Sequence, residues 1–216
     1  MPALHGFLMI LAILAALASS GCEGSGAGVS PEALPACERA CASEPPGIST
    51  LAMDKRGFWT FAAGVEAPTL KTASLDEALA EIDRLDAHVA QKLGLPRAGI
   101  LYLKCAAEVD ADRIASLLEH PGAERYVILA LAGRSPQGVG HAPVKLWSAA
   151  QARADVERGV VEALTDPKAI QPCSESLATA CPVLLAPVDG RSCADLVALA
   201  DAAALKGRAL GFVARP

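Results

Sequence analysis

The first 21 residues contain no lysine, arginine, aspartate or glutamate, and the rest of the chain has no second long apolar run. The chain also lacks an excess of basic residues: 19 Lys and Arg stand against 24 Asp and Glu, for a formal net charge of −5. Nucleic-acid binding needs basic side chains that neutralise phosphates, so we expect no nucleic-acid partner. Later apolar runs, such as residues 126–132, have the length of strands, so no second membrane span is expected.

Residues 1–21 have the features of a signal peptide. The apolar run from Phe7 to Ala18 is twelve residues long, whereas a helix that spans a bilayer core needs roughly twenty. Twelve is the length of a signal-peptide apolar region, and small residues follow it. The segment before it, MPALHG, has neither Lys nor Arg. Either the N-terminal amine supplies the positive charge or the true start codon lies upstream.

The end of this segment, Ala18-Ser19-Ser20-Gly21-Cys22, resembles a bacterial lipobox. The resemblance implies cleavage before Cys22 by signal peptidase II and lipidation of Cys22, although Ser19 stands where leucine is usual. The alternative is ordinary cleavage after Ala16-Leu17-Ala18, which would release a soluble protein. We predict the lipoprotein, anchored in the bacterial cell envelope and facing the periplasm or the cell exterior.

The cysteine count favours lipidation. The chain has seven cysteines, and an exported protein is not expected to keep an unpaired thiol. If Cys22 carries lipid, six cysteines remain, which allow up to three disulfides in fifteen arrangements. These six disulfide candidates are Cys37, Cys41, Cys105, Cys173, Cys181 and Cys193.

Two Pro-flanked cysteines, Cys173 and Cys181, bracket a polar loop and are expected to pair with each other. The alternative pairs one of them with Cys37 or Cys41. With the local pair made, Cys105 and Cys193 would be left to bond across the two halves of the chain.

The pattern of apolar and turn residues predicts an α/β protein made of two small units whose helices pack on short sheets. Residues 22–47 are expected to hold the lipid anchor, a flexible tether and a short helix with two cysteines. The first unit, 48–132, has the order ββαβαβ. A Gly-rich linker at 133–142 leads to the second unit, 143–216, with the order βαβαβ. In the first unit we expect strands at 48–53, 58–62, 99–104 and 125–131 and helices at 75–93 and 110–119. In the second we expect strands at 143–148, 183–188 and 208–214 and helices at 153–164 and 194–205.

The two units share a strand-turn-helix segment, ILYLKCAAEVDADRI and VLLAPVDGRSCADLV. At a constant offset of 83, Leu101 aligns with Leu184 and Asp112 with Asp195. Three identities in fifteen positions are weak evidence in a chain rich in Ala and Leu. Duplication and chance similarity therefore both stay open.

The first unit resembles the periplasmic domain of the ExbD/TolR biopolymer-transport family. The stretches that carry the resemblance are LAMDKRGFWTF, SLDEALAEIDRL, GILYLKCAAEVDADRIASLLEH and ERYVILAL. It implies that family's fold and a cell-wall or partner-binding role. It does not imply proton-driven work, because the apolar N-terminal segment lacks the acidic residue of the family's transmembrane helix. Family domains dimerise, so two units in one chain could form an internal pseudo-dimer.

We identify no catalytic residue, metal ligand or cofactor site. Cys37 and Cys41 would share one helix face, as in some copper or redox sites, but no His or Met completes a metal shell nearby, which favours a disulfide. His141, in a Gly-rich loop, has no accompanying nucleophile motif. The acidic residues of the helix at 75–93 are interpreted as a solvated face.

The sequence therefore predicts a non-enzymatic envelope lipoprotein that acts as a binding or assembly module. Its partners would be the membrane, through the lipid, and an envelope protein or peptidoglycan. The alternative is a periplasmic protein that handles thiols or metals with Cys37 and Cys41.

Overall fold

The computed structural model describes residues 28–38, 41–43, 48–164, 168, 170–172, 182–188 and 190–213. In these ranges the chain forms ten strands and four α-helices, which confirms the α/β class. The strands are β1 (Ala42–Ser43), β2 (Thr50–Met53), β3 (Phe58–Phe61), β4 (Leu70–Thr72), β5 (Ile100–Cys105), β6 (Ile128–Ser135), β7 (Gly138–Trp147), β8 (Val161–Ala163), β9 (Val183–Pro187) and β10 (Leu210–Val213). The helices are α1 (Leu75–Leu93), α2 (Ala111–Glu119), α3 (Ala149–Glu157) and α4 (Cys193–Leu205), with 3-10 turns at Pro31–Ala33 and Pro121–Ala123.

All ten strands belong to a single mixed sheet in the order β4-β3-β2-β5-β6-β7-β10-β9-β8, with β1 beside β7. Strands β2, β5 and β6 are parallel to one another, and β7, β10, β9 and β8 form a second parallel group. The two groups meet at the antiparallel pair β6–β7. The two expected units therefore do not have separate sheets.

Helix α1 has the bounds that its sequence predicts, because both ends carry strong signals. The Ser74 hydroxyl accepts a hydrogen bond from the Glu77 N–H, and Gly94 ends the helix in a left-handed conformation with φ 62°. Helix α4 begins with a reciprocal capping box in which Ser192 and Asp195 each bond the other's backbone N–H.

The main core lies between one face of the sheet and helices α1, α2 and α4. The apolar pattern of the first unit predicts eight core residues. Seven of them are buried: Leu79, Ile82, Leu101, Leu103, Ile114, Leu117 and Leu131. The eighth, Ile128, is only half-buried and lies on the opposite face of the sheet, the face that carries Tyr102. The prediction for Ile128 was wrong by one residue, because Leu129 occupies the inward position of β6.

The expected linker at 133–142 was wrong. These residues form the end of β6, a two-residue turn and the start of β7, with Ser135 paired to Gly138 and Gly133 paired to Gly140. Gly and Pro usually mark loops, but Gly133 lies within a strand. It is a glycine there because another segment crosses directly over it and leaves no room for a side chain.

Three smaller expectations also differ from the structure. The helix expected at 153–164 is α3, which begins at residue 149; Gly159 (φ 68°) follows its end and β8 comes next. No helix carries Cys37 and Cys41, since described residues 34–38 are irregular and residues 42–43 form β1. Residues 28–36, which fall in the segment expected to be a flexible tether (23–36), pack on the body, where Val29 and Leu34 contact the Tyr102 face of the sheet.

Candidate functional site: the disulfide strap over the central hairpin

Residues 34–38 and 41–43, which together we call the strap, attach to both edges of the β6–β7 hairpin. On the β6 edge, the Arg134 N–H donates to the Pro35 carbonyl (2.8 Å) and the Cys37 N–H donates to the Arg134 carbonyl (2.9 Å). On the β7 edge, β1 pairs with His141 and Gly140. Because β6 and β7 pair with each other between these edges, the strap crosses the hairpin.

The crossing point is Gly133. A Cβ atom on Gly133 would lie 2.7 Å from both the Cys37 Cβ and the Cys41 Sγ, and 3.4 Å from the Val197 Cγ1 in α4. Only glycine leaves space for this approach. Gly133, one of the glycines that indicated a linker, is thus explained by a close crossing of two segments.

Cys37 and Cys41 form a disulfide, with Cα atoms 6.0 Å apart. The Cys37 residue is 1% exposed, whereas Cys41 is half-buried. The Asp201 carboxylate in α4 accepts a hydrogen bond from the Glu38 N–H (2.8 Å), and its other oxygen lies 3.6 Å from the Cys37 Sγ. The strap is therefore bonded to the sheet, closed on itself, and held by α4.

A second disulfide joins Cys105, at the end of β5, to Cys193, at the start of α4, with Cα atoms 6.3 Å apart. Both cysteines are fully buried. Two backbone bonds reinforce the join: the Cys193 N–H donates to the Val109 carbonyl (2.9 Å) and the Ala194 N–H to the Ala107 carbonyl (3.2 Å). Helix α4 is thus covalently bonded to the first half of the chain. Through Asp201 it also contacts the strap.

The other cysteines singled out from the sequence, Cys22, Cys173 and Cys181, lie outside the described residues. The structure brings four of the predicted cysteines together as two bonded pairs, and it leaves the lipidation of Cys22 and the pairing of Cys173 with Cys181 as predictions. His141 packs edge-on against Tyr102, with ring centroids 6.1 Å apart.

A partly buried ionic cluster was missed by the sequence analysis. Arg125, just before β6, pairs with Asp83 (2.9 Å) and Asp86 (3.2 Å) of α1 and hydrogen-bonds to the Tyr126 hydroxyl. Asp83 also pairs with Arg97 (2.6 Å). Asp86 follows Ile82 by four residues, so it lies on the apolar stripe of α1. This spacing is the feature of the sequence from which its partial burial could have been predicted.

Burial dominates the electrostatics of the cluster. Desolvation raises the pKa of Asp86 above its usual value, and the nearby Ser49 and the charge of Arg125 oppose the shift only in part. Desolvation also raises the pKa of Tyr126 to about 12. The interpretation of Asp86 as part of a solvated face was wrong. The cluster joins α1 to the start of β6 and holds no arrangement of nucleophile and base.

In the ranges that the structure describes, no group of three or more His, Cys, Asp and Glu side chains is arranged to hold a metal ion. Nor does any helix in those ranges have the length and apolar character needed to cross a membrane. No protein-family model, curated protein or solved structure matches the chain.

Proposed function

We propose that this protein is a lipid-anchored, non-enzymatic binding or assembly module of the bacterial cell envelope, facing the periplasm or the cell exterior. The observation that carries the proposal is the pairing of four cysteines in two disulfides, which are typical of exported proteins. Cys22, in its Ser-Gly-Cys context, then accounts for the odd cysteine of the seven.

The proposed role follows from the ExbD/TolR resemblance, restricted to what this chain contains. The resemblance supports an envelope protein or peptidoglycan as the partner. It does not supply a motor function, because the acidic residue of that family's transmembrane helix has no counterpart in residues 1–21. The chain would therefore act by binding or scaffolding, with its rigid, disulfide-tied body as the working part.

The anchor is tested by detergent-phase partitioning of full-length protein expressed in a bacterial host. Wild type is expected in the detergent phase with a lipid mass on Cys22, and Cys22→Ser in the soluble fraction. Cys37→Ser is the matched control: it also removes one cysteine but is expected to stay in the detergent phase. Unchanged partitioning of Cys22→Ser would contradict the anchor.

The binding role is tested separately, by co-sedimentation with isolated peptidoglycan and by crosslinking in intact envelopes. A specific envelope partner, or saturable peptidoglycan binding, would support the module. Absence of both, with the anchor intact, would contradict it.

A second candidate function, thiol handling by Cys37 and Cys41, is favoured by one contact. Asp201 lies beside the buried Cys37, while Cys41 is partly accessible. In the reduced pair, the Cys41 thiolate would attack a substrate disulfide, forming a mixed disulfide and releasing a substrate thiolate. Cys37 would then lose its proton to Asp201 and attack the Cys41 sulfur, which frees the second substrate thiolate and re-forms the Cys37–Cys41 bond.

Intact-mass analysis after alkylation without reduction, combined with a turnover assay on a substrate disulfide, separates the two functions. Three blocked disulfides favour the module, whereas two free thiols at Cys37 and Cys41, or bound copper, favour the thiol or metal protein. In a thiol protein, Asp201→Asn would slow resolution of the mixed disulfide, while a structural disulfide would show no turnover to be slowed.

A further inference from the structure

Arg208 is a buried arginine that joins three separate segments of the second half of the chain. It follows α4 and precedes β10, and its side chain is 6% exposed. Its Nη1 donates a hydrogen bond to the Gln171 carbonyl (3.4 Å), and its Nη2 donates to the Pro182 carbonyl (2.9 Å). Nη2 also pairs with the Glu162 carboxylate of β8 (2.8 Å).

The surrounding structure fixes the position of Arg208. The Arg208 N–H donates to the Ala203 carbonyl near the end of α4 (2.9 Å), and the carbonyl of the next residue, Ala209, accepts from the Leu184 N–H of β9 (2.9 Å). On the other side, Ile170 is buried in the main core directly before Gln171. The guanidinium therefore bonds to main-chain groups whose neighbours are already held by a helix, the sheet and the core.

The two carbonyls stand at the ends of the stretch that contains Cys173 and Cys181. Gln171 is two residues before Cys173, and Pro182 directly follows Cys181. Because Nη1 and Nη2 are bonded to the same carbon atom, the two carbonyl oxygens lie at most about 9 Å apart. An extended chain between residues 171 and 182 would span about 36 Å. Arg208 thus holds the ends of this stretch close together.

We infer that Arg208 is a positioning residue for the predicted disulfide between Cys173 and Cys181, and that it favours this bond over a bond from either cysteine to another one. A disulfide needs Cα atoms about 4.4–6.8 Å apart. Holding the ends of the loop together raises the effective concentration of one thiol around the other. The inference rests on the predicted pairing and does not depend on lipidation of Cys22.

The energetics explain why the residue is an arginine. Burying a guanidinium costs free energy unless its charge is balanced and its N–H groups are bonded. An apolar side chain would fill the space without that cost, so what arginine adds is a planar fork whose two nitrogens reach two separate carbonyls. Lysine keeps the positive charge beside Glu162, but its single nitrogen cannot take the positions of both Nη1 and Nη2.

Arg191 provides a matched control in the same half of the chain. Its Nε donates to the Pro187 carbonyl (3.1 Å), so it is also an arginine bonded to the carbonyl of a proline at one end of β9. Pro187 ends β9, whereas Pro182 precedes it. Arg191→Lys therefore makes the same chemical change at the end of β9 that does not adjoin the two cysteines.

The test is the redox equilibrium of Cys173 and Cys181 in full-length protein purified in detergent. The protein is equilibrated in mixtures of reduced and oxidised dithiothreitol, free thiols are alkylated, and each cysteine pair is read by peptide mass spectrometry. As the bond forms, the two cysteine thiols pass two electrons and two protons to oxidised dithiothreitol, whose own sulfur–sulfur bond breaks.

At one fixed mixture, the ratio of bonded to free Cys173–Cys181 pair is expected to fall about fivefold or more in Arg208→Lys, since a hydrogen bond at the base of the loop is lost. The ratio should stay at the wild-type value in Arg191→Lys. The Cys37–Cys41 pair, read in the same digest, shows whether the body is still folded, and its ratio should be the same in wild type and both variants.

An unchanged Cys173–Cys181 ratio in Arg208→Lys would overturn the inference, as would a wild-type bond from Cys173 to any other cysteine. A fall shared with Arg191→Lys, or with the Cys37–Cys41 pair, would overturn the selective role of Arg208. Each of these results leaves the lipid anchor and the proposed binding module standing, because those are tested on Cys22 and on the envelope partners.

Discussion

Gly133 and Cys41 are so close that no side chain fits between them: a Cβ atom on Gly133 would lie 2.7 Å from the Cys41 sulfur. This relationship joins the hairpin at the centre of the sheet to the N-terminal strap. It makes Gly133 the position where the packing of the strap is most sensitive to substitution.

Gly133→Ala is expected to lower the free energy of unfolding by about 1–3 kcal/mol, because the added methyl group overpacks the crossing. Urea denaturation measures the effect. The control is a double-mutant cycle with Cys41→Ala, which removes the clashing sulfur and should lower the cost of Gly133→Ala. An equal cost in both backgrounds would show that Cys41 does not limit the space at Gly133.

The two disulfides should contribute unequally to stability. Cys37 and Cys41 are 4 residues apart, and Cys105 and Cys193 are 88 apart. Loss of loop-closure entropy predicts about 2 kcal/mol for the short loop and about 4.5 kcal/mol for the long one. Replacing each pair with alanines and comparing the free energies of unfolding tests this ranking. A larger loss from the short loop would mean that the strap stabilises the protein through contacts rather than chain entropy.

Cys173 and Cys181 are expected to bond to each other. With the two observed pairs made, they are the remaining two of the six cysteines other than Cys22, and closing their nine-residue loop is worth about 2.5 kcal/mol. Non-reducing peptide mapping checks the pairing. A linked peptide joining Cys173 to Cys37 or Cys41 would contradict both this pair and the observed strap disulfide.

Leu101→Ala is expected to cost about 2–5 kcal/mol, since Leu101 is 1% exposed and β5 lies between β2 and β6. Val127→Ala is the control, because Val127 is 54% exposed and should change stability by less than about 0.5 kcal/mol. Similar small effects at both positions would place β5 outside the core.

Asp86→Asn should change the pH dependence of stability in a defined direction. The folded protein raises the pKa of Asp86 above its ordinary 3.8, so it holds that proton more tightly than the unfolded chain does. Stability therefore falls as pH rises from 3.8 through the folded-state pKa, and the loss is complete once Asp86 is ionised in both states.

The amide side chain of the Asp86→Asn variant cannot titrate, so the free energy of unfolding of this variant minus that of wild type should increase across this pH window and then level off. Glu124→Gln, at an exposed carboxyl group, serves as the control and should not reproduce the change. A difference between Asp86→Asn and wild type that is independent of pH would contradict the raised pKa.

The elements that could be predicted from sequence are those whose ends carry local signals. Helix α1 has a capping serine and a terminal glycine, and its bounds were predicted to the residue. The strands expected at 48–53 and 58–62 form the β2–β3 hairpin, because the Asp-Lys-Arg-Gly sequence between them is a good turn in which Asp54 accepts hydrogen bonds from the Arg56 and Gly57 N–H groups.

What could not be predicted depends on contacts between distant segments. Gly133 looked like part of a linker because its crossing partner, the strap, is nearly a hundred residues earlier. Asp86 looked solvated because its partner Arg125 lies 39 residues later. A local sequence pattern carries no information about a contact partner that is distant along the chain.

The constant offset of 83 between the two similar segments does not extend to the strand that follows each of them. Leu101 and Leu184 both lie in the middle strand of a parallel triplet, β2-β5-β6 or β8-β9-β10. Leu101 pairs with Leu129, whereas Leu184 pairs with Leu210, so the offset at the last strand is 210 − 129 = 81. The two halves share the strand-helix-strand segments β5-α2-β6 and β9-α4-β10, whose connections differ in length by two residues.

The long disulfide between β5 and α4 also sets an order of events while the chain is made. A chain that is oxidised from its N-terminus as it emerges presents Cys37 and Cys41 first, and these two can pair at once. Cys105 then waits for Cys193, which is synthesised 88 residues later, after both Cys173 and Cys181. In a chain oxidised in that order, a bond from Cys105 to Cys173 or Cys181 would have to be exchanged before Cys193 could pair, and this exchange is the rearrangement that a disulfide isomerase catalyses.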